Sequence, residues 1–324
     1  MSQHQEKLST AARVSRAILE ALANGVRPWA KPWRDGSGDG VAVMPRRANG
    51  EYYRGINVVA LWATAQQRGF CSPTWFTFRQ ALALGGHVRK GEHGTLVVFY
   101  KSKPKADADD ASDEGDGAAE ARRAILRGYV VFNRNQIDGL PPTTNPVAQS
   151  PVQIVDDAYA GRFAKVGATV RIGGDRAYYS PATDSVQLPP LAAFTDYTQY
   201  YATYAHELGH WTRHPTRLDR DFGQKPFGDA GYALEELVAE LSAAFVGAVI
   251  GLPGEHIEDH ASYIGEWIDV LRDNPNAFLT AAAKAQLAAD YLLHLMGEDR
   301  VSAARDDAPP CDSEKPPCII PACA

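Results

Sequence analysis

Residues His206-Glu207-Leu208-Gly209-His210 set two imidazoles four positions apart, with a carboxylate directly after the first. On an α-helix such positions share one face about 5–6 Å apart, so both rings can offer a nitrogen to one cation. Glu207 then projects beside them. A carboxylate next to a held divalent cation can take the proton of an attacking water and return it to a leaving amine. These residue types point to metal-assisted amide hydrolysis. Two imidazoles alone do not complete such a site, which needs a third protein donor.

Two helices must supply the frame. A helix predicted over Tyr197–Arg213 carries Tyr201, Tyr204, Ala205, Leu208 and Trp211 as an apolar stripe away from the two histidines. A second, over Ala233–Ile250, carries Leu234, Leu237, Val238, Leu241, Phe245 and Ala248 on one side and projects Glu236 and Glu240 from the other. Glu235, Glu236 and Glu240 are all candidates for the third ligand. Imidazole and carboxylate donors suit zinc, and other divalent metals such as Mn. His214, His260 and Tyr263 are polar groups placed to face a developing oxyanion, and Tyr263 is carried forward beside Glu207 as a catalytic candidate.

The pattern Glu236-x-x-Ala239-Glu240 resembles that of gluzincin-type peptidases. There the first glutamate binds metal, and an acidic or amide residue four positions on supports a histidine ligand from behind. The resemblance implies His206, His210 and Glu236 as ligands and Glu240 as the supporting carboxylate.

The chain of 324 residues is 45% hydrophobic and 22% charged, the balance of a soluble globular protein long enough for two domains. The N-terminus lacks the apolar core of a secretory signal, and no run of about 18 apolar residues occurs. A cytoplasmic protein with no membrane partner is expected. Of four cysteines, Cys311, Cys318 and Cys323 lie in a Pro-rich tail and Cys71 stands alone, which is no disulfide framework. The charge is unevenly divided. Residues 1–150 hold 20 Lys and Arg against 14 Asp and Glu, and the remainder 13 against 25. Seven of the acidic residues in the first half fall within 105–120, so the rest of that half is strongly basic and suits a polyanionic partner.

The pattern of elements predicts an α+β chain. A first helix spans Leu8–Leu22, a second Asn57–Arg68 and a third Thr77–Leu84. Thr95–Tyr100 and Gly128–Phe132 read as strands of a hairpin, with residues 105–121 as a disordered acidic loop between them. A Pro-rich linker over Leu140–Pro151 separates a small basic domain, 1–145, from a second domain, 151–297. The second domain opens with a helix over Val155–Lys165 and strands over Thr169–Ile172, Ala177–Ser180 and Ser185–Leu188. Beyond the two site helices, further helices are predicted over Ser262–Leu271 and Ala277–Met296, followed by a disordered tail, 298–324.

The basic domain mixes cations with aromatics: Trp29, Lys31 and Trp33, then Arg46, Arg47, Tyr52, Tyr53, Arg54 and Asn57, and later Trp75, Arg89 and Lys90. Aromatic faces stack on bases while Arg and Lys follow phosphates, so these residues are candidates for holding single-stranded DNA. The same composition lets Trp62, Trp75, Phe76 and Phe78 fill a small core instead.

Over residues 8–296 the chain resembles the ArdC antirestriction proteins of conjugative plasmids, related in their N-terminal part to TraC-type plasmid primases. The likeness rests on PWAKPW at 28–33, YYRGINVVALW at 52–62, WFTFRQALALGGHVRKGEHGT at 75–95, VFNRNQIDGLP at 131–141, HELGHWTRHPTRLDRD at 206–221, YALEELVAELSAAF at 232–245 and YIGEWIDVLRDNP at 263–275. It implies a single-stranded-DNA-binding domain joined to a zincin-like metallopeptidase domain, and a role in protecting incoming plasmid DNA from host restriction. The acidic stretch after Lys105 and the cysteine-bearing tail match no family motif. Two other readings stay open at this point: a regulatory zinc protease that cleaves a repressor or another protein substrate, and a pure single-stranded-DNA-binding protein with a vestigial zincin domain.

Overall fold

The computed structural model describes residues 9–24, 43–101, 125–142, 156–222, 230–252, 265, 267–268 and 274–298. The acidic stretch 105–121, most of the linker and the cysteine-bearing tail lie outside them, as do Trp29, Lys31, Trp33, His260 and Tyr263.

Helix α1 (Thr10–Ala23) starts where the Ser9 hydroxyl accepts from the Ala12 amide, and buries Val14, Ile18, Ala21 and Leu22 along one face. After the short strand β1 (Arg46–Arg47) comes α2 (Ile56–Arg68), which ends where Gly69 takes the left-handed conformation at φ 66°. Strand β2 (Thr74–Thr77) runs directly into α3 (Phe78–Ala83) through a capping box of Thr77 and Gln80. Strands β3 (His87–Val88), β4 (Thr95–Lys101), β5 (Ile125–Asn133) and β6 (Ile137–Asp138) follow.

The main sheet has the order β1-β2-β5-β4, with β4 and β5 paired antiparallel from Thr95 opposite Val131 to Lys101 opposite Ile125. The hairpin expected from the sequence is present. The sequence reading did not single out β1, β2, β3 or β6, which are too short for a clear alternation. Asn57 explains how α2 meets the sheet. Its amide donates to the Val98 carbonyl at 2.7 Å and accepts from the Val98 N–H at 2.8 Å, closing part of the β4 edge.

The second half opens with α4 (Asp156–Ala164) and a sheet ordered β7-β9-β8, built from β7 (Thr169–Ile172), β8 (Tyr178–Ser180) and β9 (Ser185–Leu188). Three long helices follow: α5 (Tyr197–Trp211), α6 (Ala230–Ile250) and α7 (Pro275–Met296). Of the helix expected over Ser262–Leu271, only 265, 267 and 268 are described, and they are helical; Trp267 is buried there and donates its indole N–H to the Ala233 carbonyl at 2.8 Å.

The two halves share one hydrophobic core. Helix α7 packs on α6 and also on α1 and α2. Trp62 of α2 meets Phe245 of α6 with ring centroids 5.8 Å apart. Polar bonds line the same seam. The Gly55 N–H donates to Gln286 at 2.9 Å, Arg54 pairs with Asp290, and Gln286 donates to Asp290 at 3.0 Å. A second, small core of Phe76, Ala81 and Ile137 lies on the opposite face of the main sheet.

Candidate metal centre

Helices α5 and α6 cross closely because Gly209 stands at the contact. A Cβ there would fall 2.5 Å from Ser242 Oγ and 2.9 Å from Ala239 Cα. The approach brings the polar faces of the two helices together. His206 Nε2 lies 3.1 Å from His210 Nε2 and 3.5 Å from Glu236 Oε2, and His210 Nε2 lies 3.5 Å from Glu236 Oε1. These three residues are the metal-competent cluster found among the described residues, with ligand atoms within 4.8 Å of one another.

The donor geometry can be tested against a metal. Tetrahedral zinc with N and O ligands at roughly 2.0–2.1 Å sets its donors about 3.3 Å apart. The observed spacings of 3.1 and 3.5 Å bracket that value. Two Nε2 atoms facing each other at 3.1 Å also need a positive charge or a shared proton between them, since neutral lone pairs repel. The residues fit a divalent cation.

The far nitrogens of both rings face carboxylates. His210 Nδ1 lies 3.2 Å from Glu235 Oε1, and His206 Nδ1 lies 3.5 Å from Glu240 Oε2. This arrangement turns each Nε2 toward the shared centre and makes the ring a stronger donor. Glu235, one of three residues open as a ligand on spacing alone, faces His210 Nδ1, on the far side of the ring from the Nε2 atoms that approach Glu236. It is held by Arg220, whose Nε donates to Oε2 at 2.8 Å and Nη2 to Oε1 at 2.7 Å. The same guanidinium donates to Thr212 Oγ1 and to the Gly209 carbonyl, both at 2.9 Å, so it also ties down the last turn of α5.

Burial and charge act against each other here. Burial works to lower the His210 pKa, but hydrogen bonds that its ring donates to the Glu235 and Glu236 carboxylates outweigh it and raise it to about 9. His206 is likewise raised well above its usual range: burial opposes the rise, while Glu236, Glu240 and the charge of Glu207 drive it. Burial would raise Glu236, yet the two histidines bring it far below the ordinary carboxylate range. The pocket is thus negative enough to attract a cation, whether protons or a metal. Glu207 is buried in α5 beside this centre.

A cleft of about 420 Å³ lies behind His210, lined by Glu235 and Arg220 together with Tyr179, Arg213, His214 and Tyr232; none of His206, Glu207, His210 or Glu236 lines it. His214 lines this cleft, with Nδ1 2.8 Å from Thr216 Oγ1. Sequence reasoning missed Arg220 and Tyr232. Arg220 had a signal: it lies in the basic run after the histidine helix, and a cation so close to an apolar helix must find an anion if it is buried.

The structure redistributes the residues expected to contact DNA. Trp75, Tyr53, Asn57 and Arg47 are buried and hold the fold. Trp75 packs edge-on to Phe70, Asn57 closes the β4 edge, and Arg47 lies over the Phe99 ring at 4.9 Å. Strand β2 is covered on both sides and leaves Trp75 no free ring face, and Tyr53, Asn57 and Arg47 are buried at other places in the core. Arg54 is committed to Asp290. Arg46 and Tyr52 are half-buried and stack on each other at 4.9 Å. Arg89 is exposed but paired with Glu92 and Asp138, and Lys90 is exposed. Phe78, assigned to a core on composition, is instead 51% exposed.

A two-domain chain whose second half turns two histidines of one helix and a glutamate of the next onto a common point has the build of a zincin-type protein carrying an N-terminal α+β module. Residues 158–284 match the family described as zincin-like metallopeptidase, and residues 9–132 match the N-terminal domain of the anti-restriction factor ArdC. The chain belongs to the ArdC antirestriction family. It is 41% identical over 281 residues to the uncharacterized protein y4eC of Sinorhizobium fredii, covering 86% of this chain and 90% of that one. It is 39% identical to a DNA primase TraC of Escherichia coli, of which it spans only 27%. Two crystal structures of the antirestriction protein ArdC from plasmid R388 superpose on it. The metal-free form does so at TM-score 0.72 and 37% identity, covering 90% of this chain and 98% of that one. The Mn(II)-bound form gives 0.71 and 38%, covering 89% and 98%. No described helix is long and apolar enough to cross a membrane.

Proposed function

We propose that this chain is an antirestriction protein that binds single-stranded DNA through its N-terminal half and holds a divalent metal, zinc or Mn(II), at His206, His210 and Glu236, protecting incoming plasmid DNA from host restriction. The observation that carries the metal assignment is the convergence of the two Nε2 atoms and the Glu236 carboxylate within 3.1–3.5 Å of one another. The Mn(II)-bound form of the R388 ArdC protein supports it. The single-stranded-DNA assignment is supported by the match to the ArdC N-terminal domain, the primase relatives and the basic charge of residues 1–150.

A divalent ion bound there supplies Lewis acidity and lowers the pKa of water at the site. The chain's own residues do the rest. Glu235 and Glu240 orient the two imidazoles, and Arg220 fixes Glu235. Glu207 stands beside the centre as the base that takes a proton from water and returns it to a departing amine. A peptide substrate would have to present its amide to the point where His206, His210 and Glu236 meet, within reach of Glu207. Tyr263 keeps its place as a candidate oxyanion donor outside the described residues.

The test is a conjugation assay into a restricting recipient, with the native chain compared with Glu207→Gln and with substitutions of unrelated surface residues as controls. Protection by the native chain but not by Glu207→Gln assigns proteolysis to the phenotype. Protection by neither rejects the antirestriction reading. Direct metal content of the purified chain, with and without Glu236→Ala, tests the ligand set separately.

A further inference from the structure

In the N-terminal half, the exposed large hydrophobics among the described residues are Phe78, Leu82, Leu84 and Val130. Three of them are neighbours. Phe78 and Leu82 are one helical turn apart on α3. The Phe78 ring meets Phe132 edge-on at 6.4 Å, and Phe132 lies two residues from Val130 on the same face of β5. Gly94 sits beneath this pair: a Cβ there would fall 2.3 Å from Val130 and 3.1 Å from Phe132. The result is a shallow apolar face with one open aromatic ring, on the side of the sheet away from the shared core.

Its surroundings are cationic. Arg79 follows Phe78 and is exposed, and α3 packs on β3, after which comes the exposed Lys90; Arg89 between them is already paired with Glu92 and Asp138. An occupant must therefore combine a flat apolar surface with negative charge, as a nucleotide strand does. The face is also too small for a protein partner. A stable protein–protein interface draws on roughly 20–30 residues a side, whereas one base needs a single ring to stack on.

We propose that the face formed by Phe78, Leu82, Val130 and Phe132 receives the bases of single-stranded DNA, with Phe78 as the stacking ring and Arg79 toward the phosphates. This rests on the single-stranded-DNA reading above and gives it a location, in place of the buried Trp75 and Tyr53. Stacking and phosphate contacts leave different marks on binding. Loss of a stacked ring weakens affinity without changing its salt dependence, while loss of a phosphate contact flattens the salt dependence, by about 0.7 in the log–log slope for a single strand.

The experiment measures binding of a fluorescent thymidine oligonucleotide to the full chain by anisotropy at several salt concentrations. Phe78→Ala is expected to weaken binding about 5- to 100-fold with the slope unchanged, and Phe78→Trp to retain it. Arg79→Gln is expected to reduce the slope. A 5-iodouracil oligonucleotide should photo-crosslink to the peptide containing Phe78, which reads the contact in the native chain without any variant. If the native chain binds and Phe78→Ala binds as tightly, the location is wrong while the DNA reading stands. If the native chain does not bind, both fail. If Phe78→Ala leaves DNA binding intact but dissolves a self-associated species in sedimentation, the face joins copies of the chain and the proposal is overturned.

Discussion

Arg220 grips the Glu235 carboxylate through two hydrogen bonds of 2.7 and 2.8 Å, and the oxygen that accepts the shorter one also faces His210 Nδ1 at 3.2 Å. A residue nine positions beyond the end of α5 thus sets the orientation of one candidate metal ligand. Replacing Glu235 by Gln keeps the shape but weakens the hold on the His210 ring, and metal affinity is expected to drop about 10- to 100-fold. Arg220→Met should do more harm to the fold. It strands a buried carboxylate and frees the Gly209 carbonyl, at a cost of about 3–5 kcal/mol. Calorimetric titration with Mn(II) or Zn(II) and thermal melts separate the two effects; equal metal affinity in Glu235→Gln would remove Glu235 from this role.

Glu236 and Glu207 are expected to part company when mutated. Glu236→Ala removes a donor from the three-residue cluster, so the chain should no longer be stabilised by added metal, whereas native protein at a hundredfold excess over Kd should gain about 2.7 kcal/mol. Glu207→Gln should keep that stabilisation and lose peptide hydrolysis, if a substrate is found. Metal-dependent melting of Glu236→Ala as strong as that of the native chain would exclude Glu236 from the ligand set.

Gly209 illustrates how the site depends on a close helix crossing. Ala at this position places a methyl group 2.5 Å from Ser242 Oγ and 2.9 Å from the Ala239 backbone, and the second of these cannot swing aside. The helices must separate. Overpacking of this kind costs about 1–3 kcal/mol, and here it also moves His206 and His210 away from Glu236. Gly209→Ala should therefore lower both the melting temperature and metal affinity, whereas Ser242→Ala, which removes one of the two clashing groups, should restore only part of either.

The cluster of His206, His210 and Glu236 was legible in the sequence because its signal is local. Helical spacing alone put His206 beside His210 and Glu236 beside Glu240, and the strands over 169–172 and 185–188 and the hairpin were marked by β-branched runs. Spacing could not separate Glu235 from Glu236, since adjacent helical residues differ by about 100° and only the crossing angle of α5 and α6 decides which one reaches the metal. Which of the aromatics expected beside DNA are open was hidden for a related reason. Composition says that Trp75 and Phe78 are aromatic and near cations, but their burial depends on which strand faces are covered. Strand β2 is sandwiched between two cores, whereas α3 leaves Phe78 open. The shared core was invisible too, because α7 reaches back across more than 200 residues to meet α1 and α2.

Acid should loosen the loop after α5 through Asp184. The Arg217 hydrogen bond holds this carboxyl below its ordinary value; partial burial opposes that, and Tyr179 assists. A carboxyl depressed in the folded state adds stability that is complete above its unfolded pKa and is lost as pH falls through the folded one. The contribution is modest because Asp184 is partly exposed. The melting temperature of the native chain should fall more steeply than that of Asp184→Asn as pH drops below about 4. Parallel curves for the two proteins would show that the pair, with Arg217 stacked on Trp211 at 3.9 Å, is held by the stacking alone.

The seam between the halves sets a limit on how the protein can be divided. Cutting the chain near 145 appears natural from the Pro-rich linker, yet it would strip α7 from α1 and α2 and expose Trp62, which is 1% exposed and packed on Phe245. Gly55 would lose its bond to Gln286, and Arg54 its partner Asp290. Residues 1–145 alone are therefore expected to melt well below the full chain and to bind a hydrophobic dye. In the intact protein, Trp62→Ala should cost about 3–5 kcal/mol and, by loosening α6, weaken metal affinity as well. Lost affinity on a mutation in the N-terminal half would tie the two halves together through the core. An isolated 1–145 that unfolds cooperatively at the native temperature would instead show that α7 contributes little to that half.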